Sequence, residues 1–189
     1  IIVRDGTYTE NVNVDKDHLT IKSENGAEVT IVQAANASDY VFEIAADNVS
    51  IRGFTINATY RAGVYCHGAR YCIISKNRLW GPGVFLSGSS DISVFDNLCS
   101  SIYNDCIRLE SSTNCHLTGN TMLNGGIFIH GGPVEHYNTH EIDTNNTLAS
   151  ATYDSDGNIV SIYDKRPVYY WKNVSGGTIP ADAGQVILA

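Results

Sequence analysis

Apolar and polar residues alternate in short runs along the chain, and between residues 63 and 131 these runs repeat. One phrase occurs at residues 63–68, 83–88, 106–111 and 126–131. A second phrase lies between its copies, at residues 72–77, 92–97 and 115–120. The two phrases recur together every roughly 20 to 23 residues, a period typical of solenoid proteins. Alternation with a period of two predicts strands with one buried face, and no run shows helical periodicity.

The repeated alternation predicts that each repeat forms one coil and that each strand stacks on its equivalent in the next coil. A single coil cannot bury its apolar face, whereas a stack of coils can. We therefore predict an all-β fold, a right-handed single-stranded parallel β-helix with coils of about 20–25 residues. The predicted inward ladders are Val64, Val84, Ile107 and Ile127; Cys66, Leu86, Leu109 and Ile129; Cys72, Ile92 and Cys115; Ile74, Val94 and Leu117; and Leu79, Cys99 and Met122.

Asparagine repeats at one position of the second phrase, as Asn77, Asn97 and Asn120. These residues are expected to stack at a corner, where an amide side chain can hydrogen-bond the backbone of the turn. The β-helix is predicted to span residues 1–149. Residues 150–189 are predicted to hold an inserted hairpin, at 151–163, and a C-terminal β segment that continues or covers the helix. Because both ends of the chain fall within the β pattern, we expect it to be part of something longer.

Composition narrows the possible partners. The 189 residues include only 12 Lys and Arg, and the formal net charge is -8. An acidic chain of this kind argues against nucleic acid and against anionic lipid as partners. No apolar run approaches the roughly 18 residues of a membrane span. We therefore predict a protein that does not span a membrane.

Two blocks of sequence resemble a known family. Residues 2–12 (IVRDGTYTENV) and 19–23 (LTIKS) resemble the first coils of NosD-type β-helix proteins, also called the carbohydrate-binding and sugar-hydrolase (CASH) repeat family. Residues 140–145, 167–171 and 183–188 resemble a block in NosD-type surface proteins of archaea. The hairpin at 151–163 departs from the family. The resemblance implies an extracellular protein, but no single activity, because members range from sugar-active enzymes to envelope components.

The strand parity predicts two rows of outward side chains. The first row is Tyr65, Phe85, Arg108 and Phe128, and the second is His67, Ser87, Glu110 and His130. Exposed aromatic side chains at every coil are costly to leave in water. Either residues 132–175 cover them, or they form a platform for sugar rings or a contact with a neighbouring copy. The predicted ligand or assembly face comprises Tyr65, His67, Phe85, Arg108, Phe128 and His130.

Catalysis is the main alternative to binding. Residues 104–107 resemble part of the polygalacturonase motif, but a second adjacent Asp and a Gly-His-Gly are missing. Inverting glycosidases need two carboxyl groups roughly 6.5 to 9.5 Å apart. Asp105, Glu110 and the positively charged Arg108 are the weak candidate catalytic residues, and Asp91 and Asp96 are further carboxylates that could converge with them.

Metal binding is a second alternative. His130, His136 and His140, near Glu135 and Glu141, form the densest group of potential copper or zinc ligands, but their spacing matches no specific motif. Structural packing is the favoured interpretation, and no cofactor is predicted. The five cysteines are interpreted as buried core thiols, with a disulfide or an intermolecular link through Cys106 as the alternative.

The sequence also contains glycosylation signals. Asn-x-Ser/Thr occurs at Asn36, Asn48, Asn57, Asn145 and Asn173, which favours a secreted glycoprotein. Together these features predict a non-enzymatic extracellular or cell-surface protein. It would act as a structural module that assembles with copies of itself or with neighbouring β-helix domains, or as a polysaccharide-binding module. A polysaccharide lyase or glycoside hydrolase, and a copper- or zinc-binding module, are the alternatives.

Overall fold

Each sequence repeat forms one turn of a right-handed parallel β-helix of about 6 turns, which confirms the predicted fold. The computed structural model describes the whole chain except the side chains of residues 102–104. The first four turns each contain three short strands. These are β1 (Ile2–Val3), β2 (Gly6–Thr9), β3 (Val12–Val14), β4 (Thr20–Ser23), β5 (Thr30–Gln33), β6 (Phe42–Ile44), β7 (Ser50–Arg52), β8 (Thr55–Asn57), β9 (Val64–His67), β10 (Ile73–Ser75), β11 (Arg78–Trp80) and β12 (Val84–Ser87).

The next two turns contain two strands each, because the second strand is long enough to pass round a corner of the helix. They are β13 (Ser93–Phe95), β14 (Leu98–Glu110), β15 (His116–Thr118) and β16 (Thr121–His130). The remaining elements are the short helix α1 (Val134–Tyr137) and the strands β17 (Glu141–Ile142), β18 (Thr147–Tyr153), β19 (Ile159–Trp171) and β20 (Gln185–Leu188).

Stacking of equivalent strands gives three parallel faces. Face A consists of β1, β4, β7, β10, β13, β15 and β17. Face B consists of β2, β5, β8, β11, the first parts of β14 and β16, and the start of β18. Face C consists of β3, β6, β9, β12 and the second parts of β14 and β16.

The predicted inward ladders form the core between these faces. Val64, Val84 and Ile107 are partners on face C, and Ile74, Val94 and Leu117 are partners on face A. All of these side chains are buried. Alternation places the intervening residues outside, since successive strand side chains point to opposite faces of a sheet.

A ladder of buried asparagines holds the corner between faces A and B. The residue before each of Asn77, Asn97 and Asn120 adopts a left-handed backbone, with φ of 56° at Lys76, 54° at Asp96 and 64° at Gly119. Each side-chain amide donates to a carbonyl of the preceding coil, and its oxygen accepts from the asparagine one coil before it. The ladder consists of Asn77, Asn97, Asn120 and Asn146, of which the last was not predicted.

An antiparallel hairpin departs from the solenoid after its last coil. β18 begins as a parallel neighbour of β16 and then pairs with β19 in antiparallel register. The Asp154 carboxylate accepts the backbone N–H groups of Asp156 and Asn158, at 2.9 and 2.8 Å, and so closes the turn. The far end of β19 pairs in parallel with β20. The antiparallel strands thus extend beyond the 151–163 of the predicted hairpin, and the division into units at residue 149 stays a prediction.

Candidate functional site

The outer side of face C carries the predicted rows of side chains in register. Tyr65, Phe85, Arg108 and Phe128 occupy equivalent positions on successive strands, as do His67, Ser87, Glu110 and His130. Glu43 extends the first row by one coil. Coils are about 4.8 Å apart, so the side chains of a row are in contact range.

Three aromatic rings of this surface form a continuous stack. Tyr65 and Phe85 have ring centroids 5.0 Å apart. Tyr40, from the turn before β6, stacks on Tyr65 with a centroid distance of 4.1 Å. Burial, followed by the proximity of Tyr65, raises the pKa of the Tyr40 hydroxyl. The rings are half-buried, which leaves an apolar edge open to solvent.

Two guanidinium groups lie against this stack. The Arg108 guanidinium carbon is 4.9 Å from the Phe85 ring centroid, and that of Arg61 is 5.7 Å from the Tyr40 centroid. Such cation–π contacts hold a long flexible side chain against a ring face. Both arginines line a cleft of about 200 Å³, which also contains Asp105. The full lining is Tyr40, Tyr60, Arg61, Ala62, Pro82, Gly83, Val84, Phe85, Asp105 and Arg108.

A polar network continues the surface towards the last coil. Arg108 donates from Nε to Nε2 of His130 at 2.9 Å and pairs with the Glu110 carboxylate at 3.1 Å. The same Glu110 oxygen is 3.2 Å from His130 Nε2. The Glu110 carboxylate is thus held by Arg108, whereas Asp105 lines the cleft. At the opposite end, His67 lies 3.4 Å from the Glu43 carboxylate.

The hairpin lies over a different face. Its residues Asn158, Ile159 and Ile162 line a cleft of about 420 Å³ whose other walls belong to face B. Those walls include Trp80 and Arg78, and Arg78 forms an ion pair with Glu28. These hairpin residues therefore lie beside face B rather than on the aromatic row, and Phe128 is 47% exposed.

The three histidines singled out as possible metal ligands are not grouped together in the described structure. His130 belongs to the network with Arg108 and Glu110. His140 is fully buried and accepts the Cys115 backbone N–H on Nδ1 at 3.3 Å. Burial, followed by the charges of Lys172 and His136, lowers the pKa of His140 to about 4. Within the part of the chain that the structure describes, no three His, Cys, Asp or Glu side chains are grouped to hold a metal ion.

Four of the five glycosylation signals lie on exposed asparagines. They are Asn36, Asn48, Asn145 and Asn173, and Asn57 is half-buried on β8. Their side chains are accessible to modification, and glycosylation stays a prediction.

The sequence was compared with models of known protein families. The family described as periplasmic copper-binding protein (NosD) matches residues 1–164. The chain belongs to the NosD family. The described side chains do not fit the copper of the family description, because His130, His136 and His140 do not converge and the thiols are buried in the core.

Solved structures similar to this NosD-family chain are carbohydrate-active β-helix enzymes. The pectin methylesterase of Aspergillus niger, in a partly deglycosylated form, has a TM-score of 0.63 at 11% identity. That alignment covers 100% of this chain and 75% of the esterase. The deglycosylated form of the same esterase has a TM-score of 0.54 at 12% identity over 100% of this chain and 65% of the esterase. Likeness at this identity shows the fold alone. A search of curated proteins found no match.

Among the described residues, no helix is long and apolar enough to cross a membrane.

Sequence reasoning missed half of the cleft. Tyr40, Tyr60 and Arg61 lie in turns between strands, where no repeat fixes the position of a side chain. Tyr60 is a large exposed ring beside Arg61 in the structure, and its place in the sequence gives no sign of this. Strand parity identified the remaining surface because face and register follow directly from alternation.

Proposed function

We propose that face C binds polysaccharide, with the stacked rings of Tyr40, Tyr65 and Phe85 as the platform for sugar rings. The observation that carries the proposal is the half-exposed stack next to a cleft that the hairpin leaves open. A sugar ring has apolar C–H faces and polar edges. Aromatic side chains offer a flat apolar surface to such faces. Arg61, Arg108 and Asp105 offer hydrogen bonds to the hydroxyl groups at the edges.

A single alanine substitution in the platform tests this proposal. We expect Phe85→Ala and Tyr65→Ala each to weaken polysaccharide binding about tenfold or more, since central aromatic anchors contribute most of the binding energy of a surface. Affinity electrophoresis against a panel of soluble plant, fungal and bacterial polysaccharides identifies a ligand for the unsubstituted chain. Isothermal titration calorimetry on that ligand then measures each variant.

The matched control is Tyr71→Ala. Tyr71 is an equally large ring, 58% exposed, but it lies at a turn before face A. Circular dichroism checks that all variants keep the fold. Equal loss of affinity in the Tyr71 variant, or no binding to any polysaccharide of the panel, contradicts the proposal.

A hydrolase or lyase at the same surface is the second candidate, and the position of Asp105 favours it. This carboxylate lines the cleft beside Arg108, and no ion pair within 4.0 Å is described for it. Glu110, by contrast, is engaged by Arg108. Assays of released reducing ends and of unsaturated sugars separate binding from cleavage. Cleavage that disappears in Asp105→Ala would replace binding with catalysis as the function.

The family description as periplasmic supports a location outside the cytoplasm, and we propose exposure at the cell surface. The same aromatic row also offers a surface for assembly with a second copy. Sedimentation velocity distinguishes the two uses of the row. Association that Phe85→Ala abolishes, in the absence of polysaccharide, would favour assembly.

A further inference from the structure

Cys99 and Cys106 face each other in the interior, at the corner between faces B and C. The sulfur of Cys99 is 3.6 Å from the carbonyl oxygen of Cys106, and the sulfur of Cys106 is 3.5 Å from the carbonyl oxygen of Cys99. Both side chains are buried. Each sulfur therefore lies beside the backbone of the other cysteine, and both residues are free thiols in this structure.

The positions of Cys99 and Cys106 are occupied by other residue types in the neighbouring coils. On face B, Cys99 is in register with Leu79 on one side and Met122 on the other. Across the corner, the position of Cys106 belongs to Gly83 in the preceding coil. A β carbon on Gly83 would collide with the Cys106 carbonyl and the Cys99 sulfur. The preceding coil thus combines Leu79 with glycine, whereas this coil combines two cysteines.

The remaining cysteines have different surroundings. The Cys72 sulfur lies 3.4 and 3.3 Å from the carbonyl oxygens of Ala46 and Arg70, and the Cys115 thiol donates to the Thr113 carbonyl at 3.5 Å. Cys66 lies on an inward ladder of face C between Ile44 and Leu86.

We propose that Cys99 and Cys106 form an intrachain disulfide. The bond would close residues 99–106 into a covalent loop. Asp105, which lines the face C cleft, lies on this loop directly before Cys106. The modification therefore fixes the backbone that presents Asp105, and it does so whether face C binds or cleaves its ligand.

Oxidation of the two thiols requires an electron acceptor, and a small-molecule disulfide such as glutathione disulfide can serve as one. The two thiols lose two protons and two electrons and form one S–S bond, while the reagent accepts them and becomes two thiols. The attacking species is a thiolate. Burial, followed by the proximity of Cys106, raises the pKa of the Cys99 thiol, so the folded interior disfavours the reaction. The bond is therefore expected to form during folding, in the oxidising compartment that the family description indicates.

Peptide mapping tests the proposal. The full chain is refolded from urea in a mixture of reduced and oxidised glutathione, and free thiols are alkylated after denaturation. A protease that cuts before Asp105 separates the two cysteines. We expect a pair of peptides joined through Cys99 and Cys106, with alkylated Cys66, Cys72 and Cys115. Alkylation of all five cysteines, or a different pairing, would overturn the proposal.

A variant gives a second, independent measurement. Cys106→Gly restores the glycine that Gly83 provides one coil earlier. Treatment with a reductant is expected to lower the urea midpoint of the unsubstituted chain and to leave that of Cys106→Gly unchanged. The same shift in both chains would show that the reductant acts elsewhere and would contradict the bond.

Discussion

Replacement of Asn97 with alanine is expected to lower the free energy of unfolding by about 3 to 5 kcal/mol. The Asn97 amide donates to the Ile74 carbonyl at 2.9 Å and to the Asn120 side-chain oxygen at 3.0 Å. Its oxygen accepts the backbone and side-chain N–H groups of Asn77, at 3.0 and 3.2 Å. Alanine removes all four bonds and leaves the partners buried. Each buried polar group left without a partner lowers the free energy of unfolding by about 1–3 kcal/mol.

Urea unfolding followed by circular dichroism measures this effect. The control is Asn13→Ala, because Asn13 is an exposed asparagine on a strand of the same solenoid. We expect Asn13→Ala to change stability by no more than about 0.5 kcal/mol. If Asn97→Ala were as stable as Asn13→Ala, the ladder would not contribute to the stability of the corner.

The asparagine ladder also shows how far the sequence repeat predicts the residues at this corner. Asn77, Asn97 and Asn120 each follow a strand phrase of the same length, so their equivalence was predictable. Asn146 continues the ladder with a bond of 2.8 Å to Asn120, but β17 retains only two residues of the phrase. Once the repeat degenerates, the alternation no longer indicates which asparagine occupies the corner.

The candidate site likewise contains residues that the sequence predicts and residues that it does not. The strand residues Tyr65, Phe85 and Arg108 were predictable because a period of two assigns a face to every strand position. Tyr40 and Arg61 come from turns of different lengths, and their arrival on the same surface depends on the path of each turn. The hairpin was predictable from its turn residues, but its position over face B follows from tertiary packing.

Acidification is expected to destabilise the protein through His140. Burial lowers the pKa of His140 to about 4, whereas an unfolded histidine has a pKa of about 6.5. Between these values the unfolded chain takes up a proton that the folded chain does not, so stability falls as the pH falls. The two pKa values imply a loss of about 3 kcal/mol, complete near pH 4.

The structure explains why the folded chain resists this proton. Nδ1 of His140 accepts the Cys115 backbone N–H, and Nε2 has no hydrogen-bond partner among the described atoms. A charged imidazole would therefore give up that bond and remain buried near Lys172. Urea midpoints measured between pH 7.5 and 5 detect the effect above the range in which most carboxylates titrate.

His140→Gln separates this histidine from the other titrating groups. Its amide oxygen can still accept the Cys115 N–H, so we expect a modest loss of stability at pH 7.5 but a much smaller loss on acidification. His18→Gln, at an exposed turn, serves as the control and is expected to keep the pH dependence of the unsubstituted chain. Should His140→Gln lose stability with falling pH as steeply as the unsubstituted chain, the buried histidine would not be the group responsible.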